Sequence, residues 1–272
     1  MLTMVSAEND AAGQLLLPLF DSSAGYSVKD IQGLDPVKAT LTSTPLAQLD
    51  GARLNNAKRE PRNITIKLGL ETDWVSNTVA GLRRDLYQWF SPKSQLTFGL
   101  YDDDVPFGTT LATVESCEAN MFSADPEVDI SLLCFDPDFY GDTFTFLGST
   151  VVDTSTQGIA YNGTSDAGII FSITFSESAS SIIIYNTRPD RNIQVMDIEG
   201  AFTTGDTLTI NTNPGQKSAI RSVAGLPISV LSYVHTRSDW ISLEKGNNLI
   251  RVYYTGSITP YTLTYTEKHG GF

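Results

Sequence analysis

The stretch that decides the fold is residues 63–100, NITIKLGLETDWVSNTVAGLRRDLYQWFSPKSQLTFGL. In its middle, apolar residues recur at spacings of three and four, which is the pattern of an amphipathic helix. We predict a helix from Ser76 to Phe90, capped by Ser76 or Asn77 and ended by Pro92. Its apolar face comprises Val79, Leu82, Leu86, Trp89 and Phe90. Such a face needs a sheet to cover.

Two segments beside this helix are predicted to be half-buried strands. In residues 63–70 and 95–100, apolar side chains alternate with polar or small ones, which places them on one face of a strand. The alternating apolar residues are Ile64, Ile66, Leu68 and Leu70 before the helix and Leu96, Phe98 and Leu100 after it. The sequence therefore predicts a strand–helix–strand unit within the first half of the chain.

The rest of the chain indicates a mainly β protein of two domains. Pro137 and Gly141 interrupt the pattern, so we place the boundary between residues 1–140 and 141–272. The second half contains many short alternating segments separated by Gly, Pro, Asn and Asp turns, which favours a jelly-roll β-sandwich. No apolar run approaches the roughly 20 residues of a membrane helix, so no membrane insertion is expected.

The segments before residue 63 follow a less regular pattern. Residues 1–12 are polar and expected to be loose at their start, whereas residues 14–21, 26–33 and 37–42 favour strands. Residues 44–60 have no clear periodicity, and a connection of that length in a compact domain is usually functional or disordered. We expect either an arm that becomes ordered against a partner or a flexible loop.

The charge is acidic and unevenly distributed. The chain has a net charge of −13; residues 1–140 hold 20 acidic and 10 basic residues, and residues 141–272 hold 11 and 8. Because phosphate binding depends on clustered Lys and Arg, this balance argues against a protein that wraps nucleic acid. The acidic excess favours either general solubility or a surface that repels a polyanion.

Two cysteines, Cys117 and Cys134, lie on segments predicted to form a hairpin. If this hairpin pairs Ser123 with Val128, the same register places Cys117 directly opposite Cys134. In a protein made in the cytoplasm, we expect two buried thiols in preference to a disulfide.

No constellation of residues indicates an enzyme or a metal site. Asp102, Asp103 and Asp104 lack the alternating ligands of a calcium loop, so a solvated hairpin tip is expected. The two histidines, His235 and His269, have no partner at metal-ligand spacing. Nucleophile-elbow, phosphate-loop and dinucleotide-binding motifs are absent from the sequence. We therefore predict no catalytic, cofactor-binding or metal residues and no cofactor.

Aromatic residues in the second half leave a binding function open. Trp240, Tyr253 and Tyr254 are candidates for a platform that stacks on a sugar ring. Core packing is the alternative for all three, because aromatic side chains dominate β-sheet cores.

Several motifs in this order resemble the distal tail (Dit) proteins of long-tailed bacteriophages. They are IQGL (31–34), DG (50–51), RNITI (62–66), LTF (96–98), LCFDPDFY (133–140), YNGT (161–164), GDTLTINT (205–212), SDW (238–240) with Leu243, and GNN (246–248). The resemblance covers nearly the whole chain.

This resemblance implies a structural virion protein at the tail tip, made in the host cytoplasm. The N-terminal domain, a β-sandwich or split barrel with one helix, would form a homo-hexameric ring in which residues 44–60 belt the neighbouring subunit. A galectin-like C-terminal sandwich would hold receptor-binding or side-fibre proteins. Further implied partners are the tail tube protein and the tail tip or baseplate hub protein. DNA would pass through the channel without specific binding.

Two other functions remain as alternatives. The first is a carbohydrate-binding or receptor-binding module of a phage tail, which glycan binding by the second half would favour. The second is a tail-associated hydrolase, which the absence of a catalytic constellation disfavours.

Overall fold

The computed structural model describes residues 1–22, 25–46, 50–72, 77–120, 125–151, 155–254 and 258–272. Strands make up 61% of the described residues, which also contain one α-helix, so the predicted mainly β class is confirmed. The chain forms two compact units, one of Met1–Gly141 with His269–Phe272 and one of Asp142–Lys268. The last four residues thus return to the first unit.

The first unit is an antiparallel β-sheet with one helix. Its elements are β1 (Leu2–Asn9), β2 (Gly13–Pro18), β3 (Tyr26–Gln32), β4 (Ala39–Pro45), β5 (Ala52–Arg59), β6 (Arg62–Leu70), α1 (Val79–Trp89), β7 (Gln95–Asp102), β8 (Val105–Ala119), β9 (Glu127–Cys134) and the start of β10 (Phe139–Ser149). Seven strands are joined in the order β2-β1-β7-β8-β9-β6-β3. β4 and β5 form a separate two-stranded sheet.

The core of this unit follows the alternation seen in the sequence. In β6, Ile64, Ile66 and Leu68 are fully buried, and α1 covers the sheet with Leu82 and Leu86. Burial of such side chains is the main favourable contribution to folding, at roughly 25 cal/mol per Å² of apolar surface. The predicted strand–helix–strand unit is therefore confirmed.

The helix is shorter at its N-terminus than the sequence pattern predicts. It begins at Val79 because Thr78 is the N-cap, and its hydroxyl accepts a hydrogen bond from the Gly81 amide at 3.1 Å. The predicted Asn77 cap is wrong, and Ser76 lies outside the described residues. The eleven helical residues span about 17 Å at 1.5 Å per residue.

Two further predictions in the first unit are wrong. The N-terminus is not loose, because Leu2–Asn9 is a strand that pairs with both β2 and β7. Cys117 pairs with Ile130 and not with Cys134, because the register of β8 with β9 differs from the one assumed. Both thiols are free; Cys134 is buried as expected, whereas Cys117 is only half-buried.

The second unit is a sandwich of two antiparallel sheets. Its strands are the remainder of β10, β11 (Gln157–Tyr161), β12 (Ala167–Gly168), β13 (Ile170–Thr174), β14 (Ala179–Thr187), β15 (Ile193–Phe202), β16 (Thr207–Asn211), β17 (Ser218–Val223), β18 (Leu226–Ser229), β19 (Ser242–Leu243), β20 (Gly246–Tyr254) and β21 (Pro260–His269). One sheet has the order β18-β17-β16-β13-β21-β10, and the other β11-β20-β14-β15. Both contribute side chains to one core.

Candidate functional site

The hairpin of β4 and β5 is the most exposed element of the first unit. All fifteen residues of its two strands are exposed, and the strands pair with each other and with no other strand that the structure describes. Pairing runs from Ala39 with Arg59 to Pro45 with Ala52. An isolated two-stranded hairpin is only marginally stable in water, so this one needs support at its base or a partner along its length.

Two leucines project from one face of the hairpin. Leu41 is 63% exposed and Leu54 is 58% exposed. Leu54 lies opposite Ser43, and Leu41 is two residues before Ser43 on the same strand, so the two leucines share a face. Exposed apolar side chains grouped on a projecting element are typical of a contact surface.

The hairpin is basic, in contrast to the unit that carries it. Between Ala39 and Arg59 the sequence contains Arg53, Lys58 and Arg59 but only one acidic residue, Asp50. The first 140 residues otherwise contain 19 acidic and seven basic residues. The hairpin is therefore electrostatically suited to an acidic surface like that of its own unit.

The base of the hairpin is fixed by an ion pair with a buried carboxylate. Arg59 donates two hydrogen bonds to Asp138, with an Nη2–Oδ2 distance of 2.8 Å, and the Asp138 side chain is only 3% exposed. The Glu60 amide also donates to the Lys38 carbonyl at 3.0 Å. A bidentate arginine–carboxylate pair sets direction as well as position, so it orients the hairpin relative to its unit.

A second arginine ties together the segments around this base. Arg62 is buried and donates to the carbonyl oxygens of Gly33, Asp35, Pro137 and Gly270 at 2.5–2.8 Å. Its guanidinium lies 4.4 Å from the centre of the Phe139 ring. Burial lowers the pKa of Arg62 from its ordinary value. The four carbonyls come from the segment before the hairpin, the segment before β10 and the returning C-terminus.

The hairpin occupies most of the segment predicted to lack periodicity. Most of the described residues within 44–60 lie in β4 and β5, and residues 47–49 lie outside the described part. Neither strand alternates between buried and exposed positions, so no period-two signal exists in the sequence. The turn residues Pro45, Asp50 and Gly51 were the available signal.

The other predicted sites are distributed as follows. Asp103 and Asp104 form the two-residue turn of the β7–β8 hairpin with positive φ angles, and the N-terminal amine contacts Asp102 and Asp103. Among the described residues, no group of His, Cys, Asp and Glu has the geometry to hold a metal. His269 packs against Phe107 with ring centroids 4.8 Å apart.

The three candidate aromatic residues do not form one platform. Tyr254 is buried in the core of the second unit, where its ring lies edge-on to Phe175. Trp240 packs against the same core under the Lys217 amine, whereas Tyr253 points outward from β20. Within the described residues there is no helix long and apolar enough to cross a membrane.

The chain is similar to one protein family and to solved structures of phage tail proteins. Residues 162–269 match the family described as Siphovirus-type tail component, C-terminal domain. The crystal structure of the phage SPP1 Dit protein, described as a paradigm of hub adsorption apparatus in phages infecting Gram-positive bacteria, superposes with a TM-score of 0.67 and 18% identity over 97% of this chain and 98% of that chain. A chain of the phage P2 baseplate aligns over the full length of both chains with a TM-score of 0.48 and 7% identity. No curated protein sequence matches the chain.

Both results agree with the order of motifs noted in the sequence. The family match covers the second unit, and the structural match extends across the first unit as well. The resemblance read from the sequence is thereby confirmed, in that residues 162–269 match the Siphovirus-type tail component family model and the whole chain has the fold of a phage Dit protein.

Proposed function

We propose that the protein is a structural hub at the distal end of a phage tail, assembled as a homo-hexameric ring. The observation that carries this proposal is the exposed β4–β5 hairpin. It is anchored at its base by the Arg59–Asp138 ion pair, and it bears two exposed leucines and basic side chains. An element of this kind gains stability when a neighbour covers it. In the ring, each hairpin clasps the adjacent copy.

Ring closure explains why the hairpin differs in charge from its unit. A closed ring uses head-to-tail contacts, in which one surface of a subunit meets a different surface of the next. A basic hairpin on an acidic unit satisfies this requirement, because its favourable partner is the same unit in another copy. The remaining acidic excess of the first unit suits a channel through which DNA passes without binding.

The first unit is proposed to join the tail tube protein to the tail tip or baseplate hub protein, and the second, a galectin-like domain, to hold receptor-binding or side-fibre proteins. The role is structural and not catalytic. It places the protein in the virion, at the tail tip, after synthesis in the host cytoplasm. The relatives named above, a siphovirus-type tail component and the SPP1 Dit hub, support this assignment.

Shortening the hairpin tests the proposal. Because Ala39 pairs with Arg59, residues 40–58 can be replaced by Asn-Gly, which closes a tight turn and retains the Arg59–Asp138 ion pair. We expect a folded monomer that no longer forms rings, whereas the unaltered protein gives a species of six copies in native mass spectrometry. Rings of normal mass from the shortened chain would refute the clasping role.

A double variant distinguishes the loss of the leucine contacts from the removal of the hairpin residues. Leu41→Ser combined with Leu54→Ser keeps the hairpin but removes its apolar face, and we expect weaker ring formation with an unchanged melting temperature of the monomer. Leu111→Ser is the matched control, since Leu111 is similarly exposed but lies on β8. Equal effects of the hairpin and control variants would contradict the proposal.

A further inference from the structure

Two cavities open on the same face of one sheet in the second unit. A cavity of about 360 Å³ is lined by Val195, Asp197, Glu199, His235, Arg237 and Ser238. A cavity of about 270 Å³ is lined by Thr156, Tyr185, Thr187, Ile193, Leu249 and Arg251. In β14 and β15, the residues that line these cavities alternate with fully buried core residues such as Ile184, Met196 and Ile198. Both cavities therefore lie on the outward face of the β11-β20-β14-β15 sheet.

The strand register places the lining residues in neighbouring rows. Arg251 lies opposite Tyr185, which in turn lies opposite Val195. The Arg251 guanidinium is 4.1 Å from the centre of the Tyr185 ring, so the two planar groups form one stacked unit. In the next row, Tyr253 lies opposite Ile183. The centre of the face thus offers planar and apolar surface.

The edge of the face beside β15 carries polar groups held by backbone hydrogen bonds. The His235 amide donates to the Asp197 carbonyl at 2.9 Å, and Ser238 Oγ both donates to that carbonyl and accepts from the Asp197 amide at 3.0 Å. Asp197 lies opposite Ile183 on the neighbouring strand. These bonds hold the backbone of His235 and the hydroxyl of Ser238 beside the backbone of Asp197.

One carboxylate oxygen in this polar group has no partner. Asp197 Oδ1 is shielded from solvent and accepts no hydrogen bond from any part of the chain that the structure describes. Buried polar atoms are normally hydrogen-bonded, so an exception beside a cavity calls for a donor from outside. Rotation about the terminal side-chain torsion, which is a soft one, exchanges the two oxygens at the cavity.

We infer that this face is a saccharide-binding site. Tyr253 and the stacked Tyr185–Arg251 unit take the apolar face of a sugar ring, and Asp197, His235 and Arg237 take its hydroxyl groups. The charged groups of the two cavities nearly balance, with Asp197 and Glu199 against Arg237 and Arg251, which favours a neutral polyhydroxylated ligand over an anionic one. Binding sites of this kind combine apolar surface with a few fixed polar groups.

The site differs from the platform considered from the sequence. Of the three aromatic candidates, Tyr253 belongs to this face, Tyr254 is buried on the opposite side of the same strand, and Trp240 packs against the core. The inference does not depend on ring assembly, because every residue involved lies in the second unit.

The test uses the full-length protein on an array of bacterial surface glycans, followed by saturation-transfer NMR with maltose, lactose and N,N′-diacetylchitobiose. We expect at least one glycan or disaccharide to bind, with a dissociation constant of about 1 mM for a disaccharide. Arg251→Ala and Asp197→Asn should each weaken that binding about tenfold while the ring mass in native mass spectrometry stays unchanged. Thr174→Ala, on the outward face of the other sheet, is the matched control and should bind normally.

Three outcomes would overturn the inference. The first is that no glycan on the array and none of the three disaccharides binds to the protein. The second is saccharide binding that both face variants leave intact or that the Thr174→Ala control removes. The third is loss of attachment of a tail partner protein in the face variants without any saccharide binding, which would make this face a protein-docking surface. A ring that fails to form, with saccharide binding intact, would contradict only the proposed hub function.

Discussion

At the scale of single residues, charged side chains inside the two units are held by dense sets of hydrogen bonds. Arg62 donates to four carbonyl oxygens in the first unit. In the second unit, Asp206 Oδ2 accepts hydrogen bonds from the Thr203 amide, the Thr203 hydroxyl and Arg221, at 2.5–2.9 Å. Burial alone would raise the pKa of Asp206, but these hydrogen bonds outweigh it and lower the pKa below its ordinary value.

The Asp206 carboxylate gives a pH-dependent prediction. Because its pKa is lower in the folded than in the unfolded protein, its stabilisation is fully present above the unfolded value of about 4 and is lost as the pH falls through the folded value. Asp206→Asn should lower the free energy of unfolding by about 3 kcal/mol at pH 7, and by much less at acidic pH. Urea unfolding at several pH values measures the difference. Asp142→Asn replaces an exposed carboxylate and is the control. It should leave the free energy of unfolding unchanged at every pH.

At the scale of elements, α1 and the β4–β5 hairpin contrast in how the sequence encodes them. The helix was predictable because its apolar residues repeat with the helical period and face the sheet. Its first turn was not predictable, because Asn77 and Thr78 are both acceptable caps. In the structure Thr78 is the cap, and Val79 and Leu82 pack against the core. The hairpin carries no burial pattern, so only part of β4 was predicted, by the strand at residues 37–42, and β5 was found only in the structure.

A truncation in the helix tests how far it supports the first unit. Leu86 is completely buried, so Leu86→Ala should lower the free energy of unfolding by about 3 kcal/mol, through lost burial and the cavity that remains. Gln88→Ala, on the exposed side of the same helix, should change it by less than about 0.5 kcal/mol. Chemical denaturation, monitored by circular dichroism, distinguishes the two variants. Similar losses in both variants would contradict the core role of Leu86, because alanine has a higher helix propensity than either residue it replaces.

At the scale of the whole molecule, the net charge of −13 governs the interaction with nucleic acid. We expect no binding of double-stranded DNA in gel-shift assays even at about 50 mM salt, because counterion release requires clustered cations that the chain lacks outside the hairpin. The shortened-hairpin variant serves as control, since removal of Arg53 and Lys58 should change nothing. DNA binding that weakens steeply with added salt would contradict the proposed channel lining.

The sequence by itself determined the mainly β class, the strand–helix–strand unit, most strands of the second half and the family resemblance. The first three follow from local periodicity and turn residues, which involve only neighbouring positions, whereas the resemblance rests on the order of its motifs. It also indicated a strand at residues 37–42 and an arm near residues 44–60, but neither β5 nor the anchor of the hairpin.

Tertiary structure alone decided the strand at the N-terminus, the register that separates Cys117 from Cys134, and the Arg59–Asp138 and Arg62 anchors. It also brought His235 beside Asp197 and Arg251 beside Tyr185. The physical reason is the same in each case. Strand pairing and ion pairs join residues tens to hundreds of positions apart, and a single bulge shifts every pair beyond it, so local pattern cannot specify them.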